Sequence, residues 1–144
     1  MLKRITVATA VGLIQLGILP PRAFSANPEH LLQLQRGNEC RNCDLSGLDL
    51  TGLDLRGADL MGANLRNAIL SKANLMAANL TAADLQNAIL IETNLFSSNL
   101  SYANLSGANL QDAILVSANI KGTDFTGALL QGSSGVQVGR QGLE

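Results

Sequence analysis

From Leu45 onward every fifth residue is large and apolar, through Leu50, Leu55, Leu60 and each later step to Leu115, then Ile120, Phe125 and Leu130. The register never slips over these eighteen positions. Two residues before most of them stands a small side chain, usually alanine, as at Ala58, Ala63, Ala68 and Ala73. The residue between is mostly Asn or Asp. A period of five suits neither a helix, whose faces recur about every 3.6 residues, nor a strand, whose faces alternate. It specifies a solenoid of short identical units, each too small to bury its apolar side chain alone.

The eighteen units of the form Ala-(Asp/Asn)-Leu-X-X cover residues 43–132, and they closely resemble the pentapeptide-repeat family. The resemblance implies an all-β fold, a right-handed quadrilateral β-helix with four units per coil and the central Leu and preceding Ala pointing inward. Steric reasoning agrees with this. A tube that turns a corner every five residues has room for one large and one small side chain per side. The other three positions face water, and here they carry Asp, Asn, Ser, Thr, Arg and Gln. With residues twenty apart stacking at roughly 4.7–4.9 Å, about four and a half coils make a rod on the order of 20 Å long. A tube has two open ends, and each needs a cap against edge-to-edge association.

A short helical cap with its linker is expected over residues 26–42. Asn27-Pro28-Glu29-His30 reads as an N-cap followed by Pro at the first helical position, Leu31, Leu32 and Leu34 follow, and Gly37 offers a stop. Leu48 and Leu53 occupy inward positions that are small elsewhere, so they are expected to fill room beneath this cap. Residues 133–144 are glycine-rich and patternless, which reads as a flexible tail.

Residues 1–25 have a different character. Lys3 and Arg4 precede an apolar run from Ile5 to Leu19, and Ala23 and Ser25 supply small residues at a cleavage site after Ser25. This is the pattern of a signal peptide, too short to span a bilayer, so export without a remaining membrane span is expected. Without Lys3, Arg4 and Arg22, seven basic residues face eleven acidic ones, a net of −4. No basic stripe is present for nucleic acid. In an exported chain, Cys40 and Cys43 are expected to form a disulfide that pins the cap to the first coil. A redox pair fits less well, because a reactive thiol sits at a helix N-terminus and this pair follows the helix. Zinc lacks ligands, since His30 is the sole histidine.

On the outer faces, Asp44, Asn64, Asp84, Asn104 and Asp124 form one column. We read it as solubility and ladder stability rather than a metal site, because carboxylates strung along a column do not surround an ion. Ile69 and Ile89 stack on the next face with Ile91 beside them. Met76, Phe96 and Val116 form a column one face further on, with Arg56 below and Ile114 alongside. Aligned apolar columns on adjacent faces of a rod whose core is already filled suggest a contact surface for a partner, a second copy or a membrane surface.

The resemblance is nearest to family members of exported cyanobacterial type, in which a signal peptide, a cap helix and a Cys-x-x-Cys just before the repeat recur. The matching stretch here is Asn27 to Leu50, and it implies the periplasm or the thylakoid lumen. The resulting expectation is a non-catalytic exported scaffold or protein-interaction module without a cofactor. An alternative comes from a cytosolic, strongly acidic branch of the family that mimics DNA and binds gyrase. The export signal and the Asn-interrupted Asp column argue against that branch. An enzyme is disfavoured because a filled tube offers no concave site for converging groups, and one histidine makes no triad. The register carries its own test. Leu85→Asp would bury an unpaired charge at the centre of the rod, at a cost of several kcal/mol, and should abolish the folded circular dichroism spectrum; an unchanged spectrum would refute the inward assignment.

Overall fold

A leucine every fifth residue can stay inside only if the chain turns a corner between consecutive leucines. The computed structural model describes residues 27–136, and in it each unit does turn. The segment expected to be a signal peptide, 1–25, and the end of the expected tail, 137–144, lie outside the described residues. At each corner the carbonyl of the central residue accepts from the N–H three residues later, as in Ala78 N–H to Leu75 O at 3.0 Å. The second residue inside every turn, from Asn42 to Gly132, has a positive φ between 54° and 73°. A turn with positive φ there is of the type II class, which favours Gly or Asn. Lys72, Ala77, Ala82, Glu92, Ser97 and Tyr102 adopt the same conformation, held there by the coils on either side.

Four units close one coil. Parallel bridges join residues twenty apart, and they run unbroken from Glu39–Asp59 to Ile114–Ser134. We number the faces in chain order: face 1 is centred on Leu45, Leu65, Leu85, Leu105 and Phe125, and faces 2, 3 and 4 begin at Leu50, Leu55 and Leu60. From Leu45 to Leu115 each central N–H donates to the carbonyl nineteen residues ahead, as in Leu85 to Asn104 at 2.7 Å. The residue before it donates in the opposite direction, as in Asn64 to Cys43 O at 2.8 Å. The central leucines from Leu60 to Leu110 are fully buried, and so are the alanines beside them. Three inward positions of the repeat replace Ala with a hydroxyl: Thr93 and Thr123 satisfy theirs by donating to Leu70 O and Leu100 O, both at 2.7 Å, and the Ser98 hydroxyl is buried without a partner.

The amino end is closed by helix α1, Pro28–Gly37. The Asn27 side chain accepts from Glu29 N–H at 3.0 Å, which satisfies one free donor of the first turn. The sequence placed the stop at Gly37. That residue instead remains helical, and Asn38 ends the helix in the left-handed region at φ 54°, its N–H donating to Leu34 O. Leu34 is fully buried and joins one core cluster with Leu48 and Leu53.

The cap completes the ladder as well as covering the core. The Asp44 carbonyl accepts from Asn27 N–H at 3.2 Å, and the Asp44 N–H donates to Nδ1 of His30 at 2.9 Å. A backbone N–H can only donate, so the ring accepts here as neutral imidazole with its proton on Nε2. His30 thus stands where a lower coil would place a carbonyl. Cys40 and Cys43 are bonded to each other across the corner turn that contains Asn42. Both are buried, and the Cys40 sulfur lies 3.2 Å from the His30 carbonyl oxygen.

At the carboxyl end the ladder runs past residue 132, where the tail was expected to begin. Ser134 donates to Ala113 O at 2.9 Å and accepts from Leu115 N–H at 2.7 Å, and Val136 packs on the core.

Two measurements check this architecture. Gly122 sits at φ +69°, and a Cβ there would come within 2.8 Å of the Tyr102 ring. Gly122→Ala should therefore cost on the order of 1–2 kcal/mol, from left-handed strain together with displacement of the ring. In a Tyr102→Ala background the ring component should vanish, and a double-mutant cycle with no coupling would refute this contact. Reduction of Cys40–Cys43 should raise amide exchange in α1 and the first coil while leaving the coils beyond Leu65 protected; equal protection of α1 in both redox states would show that the bond does not hold the cap.

Candidate functional site

The ladder leaves one backbone donor per unit unpaired: the N–H of the residue just after the central one. Its partner is supplied locally. The residue before the central one is Asp or Asn in fourteen of the eighteen units, and all fourteen side chains accept from that N–H. Examples are Asp44 from Ser46 at 3.1 Å, Asn94 from Phe96 at 3.0 Å and Asp124 from Thr126 at 2.9 Å. This is the Asx-turn geometry, and it explains why the position is so uniformly Asp or Asn. The hydrogen bond from Thr126 also holds the Asp124 carboxyl below the usual carboxylate range.

Four units depart from the rule, at Ile69, Ile89, Ile114 and Leu129. An aliphatic side chain accepts no hydrogen bond, so the N–H groups of Ser71, Ile91, Val116 and Gln131 lose this partner, at about 0.5–1.5 kcal/mol each. The four are not scattered. Ile69, Ile89 and Leu129 lie on face 2, with Ile69 bridged directly to Ile89, and Ile114 lies on face 3. Faces 1 and 4 carry no departure.

The columns singled out in the sequence surround these positions. Phe96 and Val116 stack at the corner after face 3 and are 41 % and 40 % exposed; Ile114 and Ile89 are 42 % and 36 % exposed. Met76, Ile69 and Ile91 are half-buried. The structure therefore places Met76, Phe96, Ile114 and Val116 together along face 3, and Ile69, Ile89 and Ile91 together along face 2. Leu129, 53 % exposed on face 2 of the last coil, was overlooked. The signal that finds it is the broken Asx position, which hydropathy alone does not register. Tyr102, also exposed, belongs to the opposite corner and packs on Gly122.

Charge lies around this apolar area and also along its middle, where Lys72, Glu92 and Asp112 share the column at the corner between faces 2 and 3. Below it on face 3, Arg56 pairs with Asp54 at 2.7 Å, and hydrogen bonds from Arg56 hold the Asp54 carboxyl below its ordinary range. Lys72 and Glu92 approach to 3.8 Å at the intervening corner, an exposed pair of negligible energetic weight. Arg41–Asp59 and Arg66–Asp84 lie toward faces 4 and 1. Among the described residues no group of three or more His, Cys, Asp or Glu is placed to hold a metal. No helix of the described residues is long and apolar enough to cross a membrane. A shallow groove along the outer side of α1, lined by Glu29, Leu32, Gln33, Arg36 and Glu39, brings no reactive constellation together.

Comparison with known proteins matches this architecture. No curated protein matches the chain. Among solved structures, the chain is similar to AT2G44920, a pentapeptide repeat protein from the Arabidopsis thaliana thylakoid lumen. The TM-score is 0.64 at 30 % identity, covering 83 % of this chain and 77 % of that one. It is also similar to HetL, a pentapeptide repeat protein involved in heterocyst differentiation regulation from the cyanobacterium Nostoc sp. strain PCC 7120, with TM-score 0.61 and 33 % identity. That match covers 68 % of this chain but half the length of HetL. The family model for pentapeptide repeats matches residues 39–76, 58–95, 73–112 and 93–132, with eight copies. By its repeat, its coil and these matches, the chain belongs to the pentapeptide-repeat family.

Proposed function

We propose that this chain is a non-catalytic exported scaffold, working in the periplasm or thylakoid lumen, that binds a protein partner across faces 2 and 3. The observation that carries this reading is the clustering of the four broken Asx positions. A side chain that only served the rod would be Asp or Asn there, as in the other fourteen units. Ile69, Ile89, Ile114 and Leu129 give up a local hydrogen bond and expose apolar surface on two adjacent faces, a departure from local consistency of the kind that marks function. Phe96 stands between Met76 and Val116 as an aromatic anchor of the type that dominates binding energy at contact surfaces. The lumenal source of AT2G44920 and the export signal at residues 1–25 support the compartment.

The test separates stability from binding. Ile89→Asn with Ile114→Asn restores an acceptor for Ile91 N–H and Val116 N–H. The pair should raise the melting temperature by several degrees, taking about 1 kcal/mol per bond and about 4–8 °C per kcal/mol for a domain of this size. The same variant, with Phe96→Lys as a parallel case, should lose the partner captured by the unaltered chain from its native compartment. A lower melting temperature with unchanged capture would make these residues structural members of the ladder and sink the proposal.

A further inference from the structure

Face 2 carries a pattern that face 3 lacks. Its outward column reads Asp49, Ile69, Ile89 and Asn109 over four successive coils, joined by direct bridges. The order is polar, aliphatic, aliphatic, polar, the same from either end. The column at the corner between faces 2 and 3 reads Gly52, Lys72, Glu92 and Asp112. About the same midpoint, its two central charges are opposite. On the other border of the face, Ser46, Arg66, Gln86 and Ser106 set one cation opposite a neutral amide. Face 3 reads Asp54, Asn74, Asn94 and Ile114, which has no such symmetry.

We infer that face 2 docks against face 2 of a second copy of this chain, the two rods lying antiparallel about a two-fold axis between the coils of Ile69 and Ile89. The inference rests on reading faces 2 and 3 as a contact surface, and it names the occupant of face 2. A two-fold axis across the rods lays each column on itself in reverse, so every contact occurs twice. Ile69 then meets Ile89 of the copy, Lys72 meets Glu92, and Asp49 meets Asn109. Within one chain Lys72 and Glu92 stand 3.8 Å apart, with 65 % and 54 % of their side chains exposed, so both have room for a second partner.

Other registers fail on charge, and like charges across a contact strongly oppose it. Moving the axis onto the coil of Ile69 sets Lys72 against itself. Moving it onto the coil of Ile89 sets Glu92 against itself and Asp49 against Leu129. A full coil further along, Glu92 meets Asp112 twice; a full coil back, Asp49 meets Ile69. Parallel rods set Asp49 against Asp49. One register alone matches aliphatic with aliphatic and cation with anion. It spans four coils and leaves Leu129 one coil beyond the overlap. Contact would bury on the order of 400 Å² per copy, taking a side of about 20 Å with its side chains and coils of about 4.8 Å. Stable complexes bury about 1,200 Å² or more in total, so the pairing is weak and depends on concentration. Because both copies use the same patch, assembly closes at two. The Phe96 column, at the far edge of face 3, stays free for another protein.

Charge exchange tests the register. Sedimentation of the full chain from micromolar to millimolar should show the mass rising from one chain toward twice that value and no further. Lys72→Glu and Glu92→Lys, each alone, should weaken association at least tenfold, since each sets like charges against each other. Mixing the two variants in equal amounts should restore it, because acidic corner then meets basic corner in both places. Mixing cannot repair a fault inside either chain, so recovery also shows that both variants are folded. Three results would each overturn the inference: a mass that does not change with concentration; association that survives in the single variants and so uses another surface; or single variants that dissociate and do not recover on mixing. Capture of a partner by the Phe96 column is a separate readout, so failure here leaves the reading of face 3 standing.

Discussion

The corner turn sets the terms for everything else in this rod. Turning every five residues demands a positive φ at the second turn residue and leaves the N–H at the first turn residue without a ladder partner. The chain meets these demands separately. Stacking holds the positive φ, even at Lys72, Glu92 and Tyr102, and the Asx side chain supplies the acceptor. Each contribution is small, of order 1 kcal/mol, but the demand recurs in every unit. The Asp and Asn columns are therefore the outward sign of local backbone satisfaction, and their charge is secondary. Cross-rung bonds such as Asn64 Nδ2 to Asp44 and Asn79 Nδ2 to Asp59, both 3.1 Å, add to the same columns.

The inward half of this architecture was open to reading from the sequence. A large apolar residue every fifth position, with a small one two before it, leaves almost no freedom over which side chains are buried, and the coil follows. The outward half was harder. Asp and Asn look like solubility when only hydropathy is considered, because a side-chain acceptor two residues from a corner N–H has no signature in composition. Once that bond is recognised, Leu129 becomes as visible as Ile89. The helix end at Asn38 was missed for a related reason: Gly37 is the usual stop, but Asn tolerates the left-handed region and here takes the role. The ladder bonds at Ser134 come from the backbone, and a glycine-rich sequence does not announce them.

The amino cap shows how irregular chain can imitate a repeat. Nothing in the sequence of α1 resembles a coil, yet Asn27 and His30 contribute one donor and one acceptor at the spacing Asp44 requires. The imidazole works here because it offers an acceptor at the end of a short rigid arm, close to where a carbonyl would lie. The disulfide then fixes the corner against which His30 rests, so that cap and first coil share one set of constraints. The carboxyl end has no comparable device among the described residues.

The mismatch between a unit of five residues and a coil of twenty bears on how such chains change over time. Inserting or deleting one unit leaves every core position filled, since each unit turns one corner and buries the same pair of side chains. It also rotates everything beyond that point by a quarter turn, so a column that began on face 2 continues on face 3. The interior cannot detect such an event, but any surface read across several coils is cut in two by it. In a protein of this build, constraint on length is therefore evidence about what the outside touches, and only changes in whole multiples of a coil leave that outside in line.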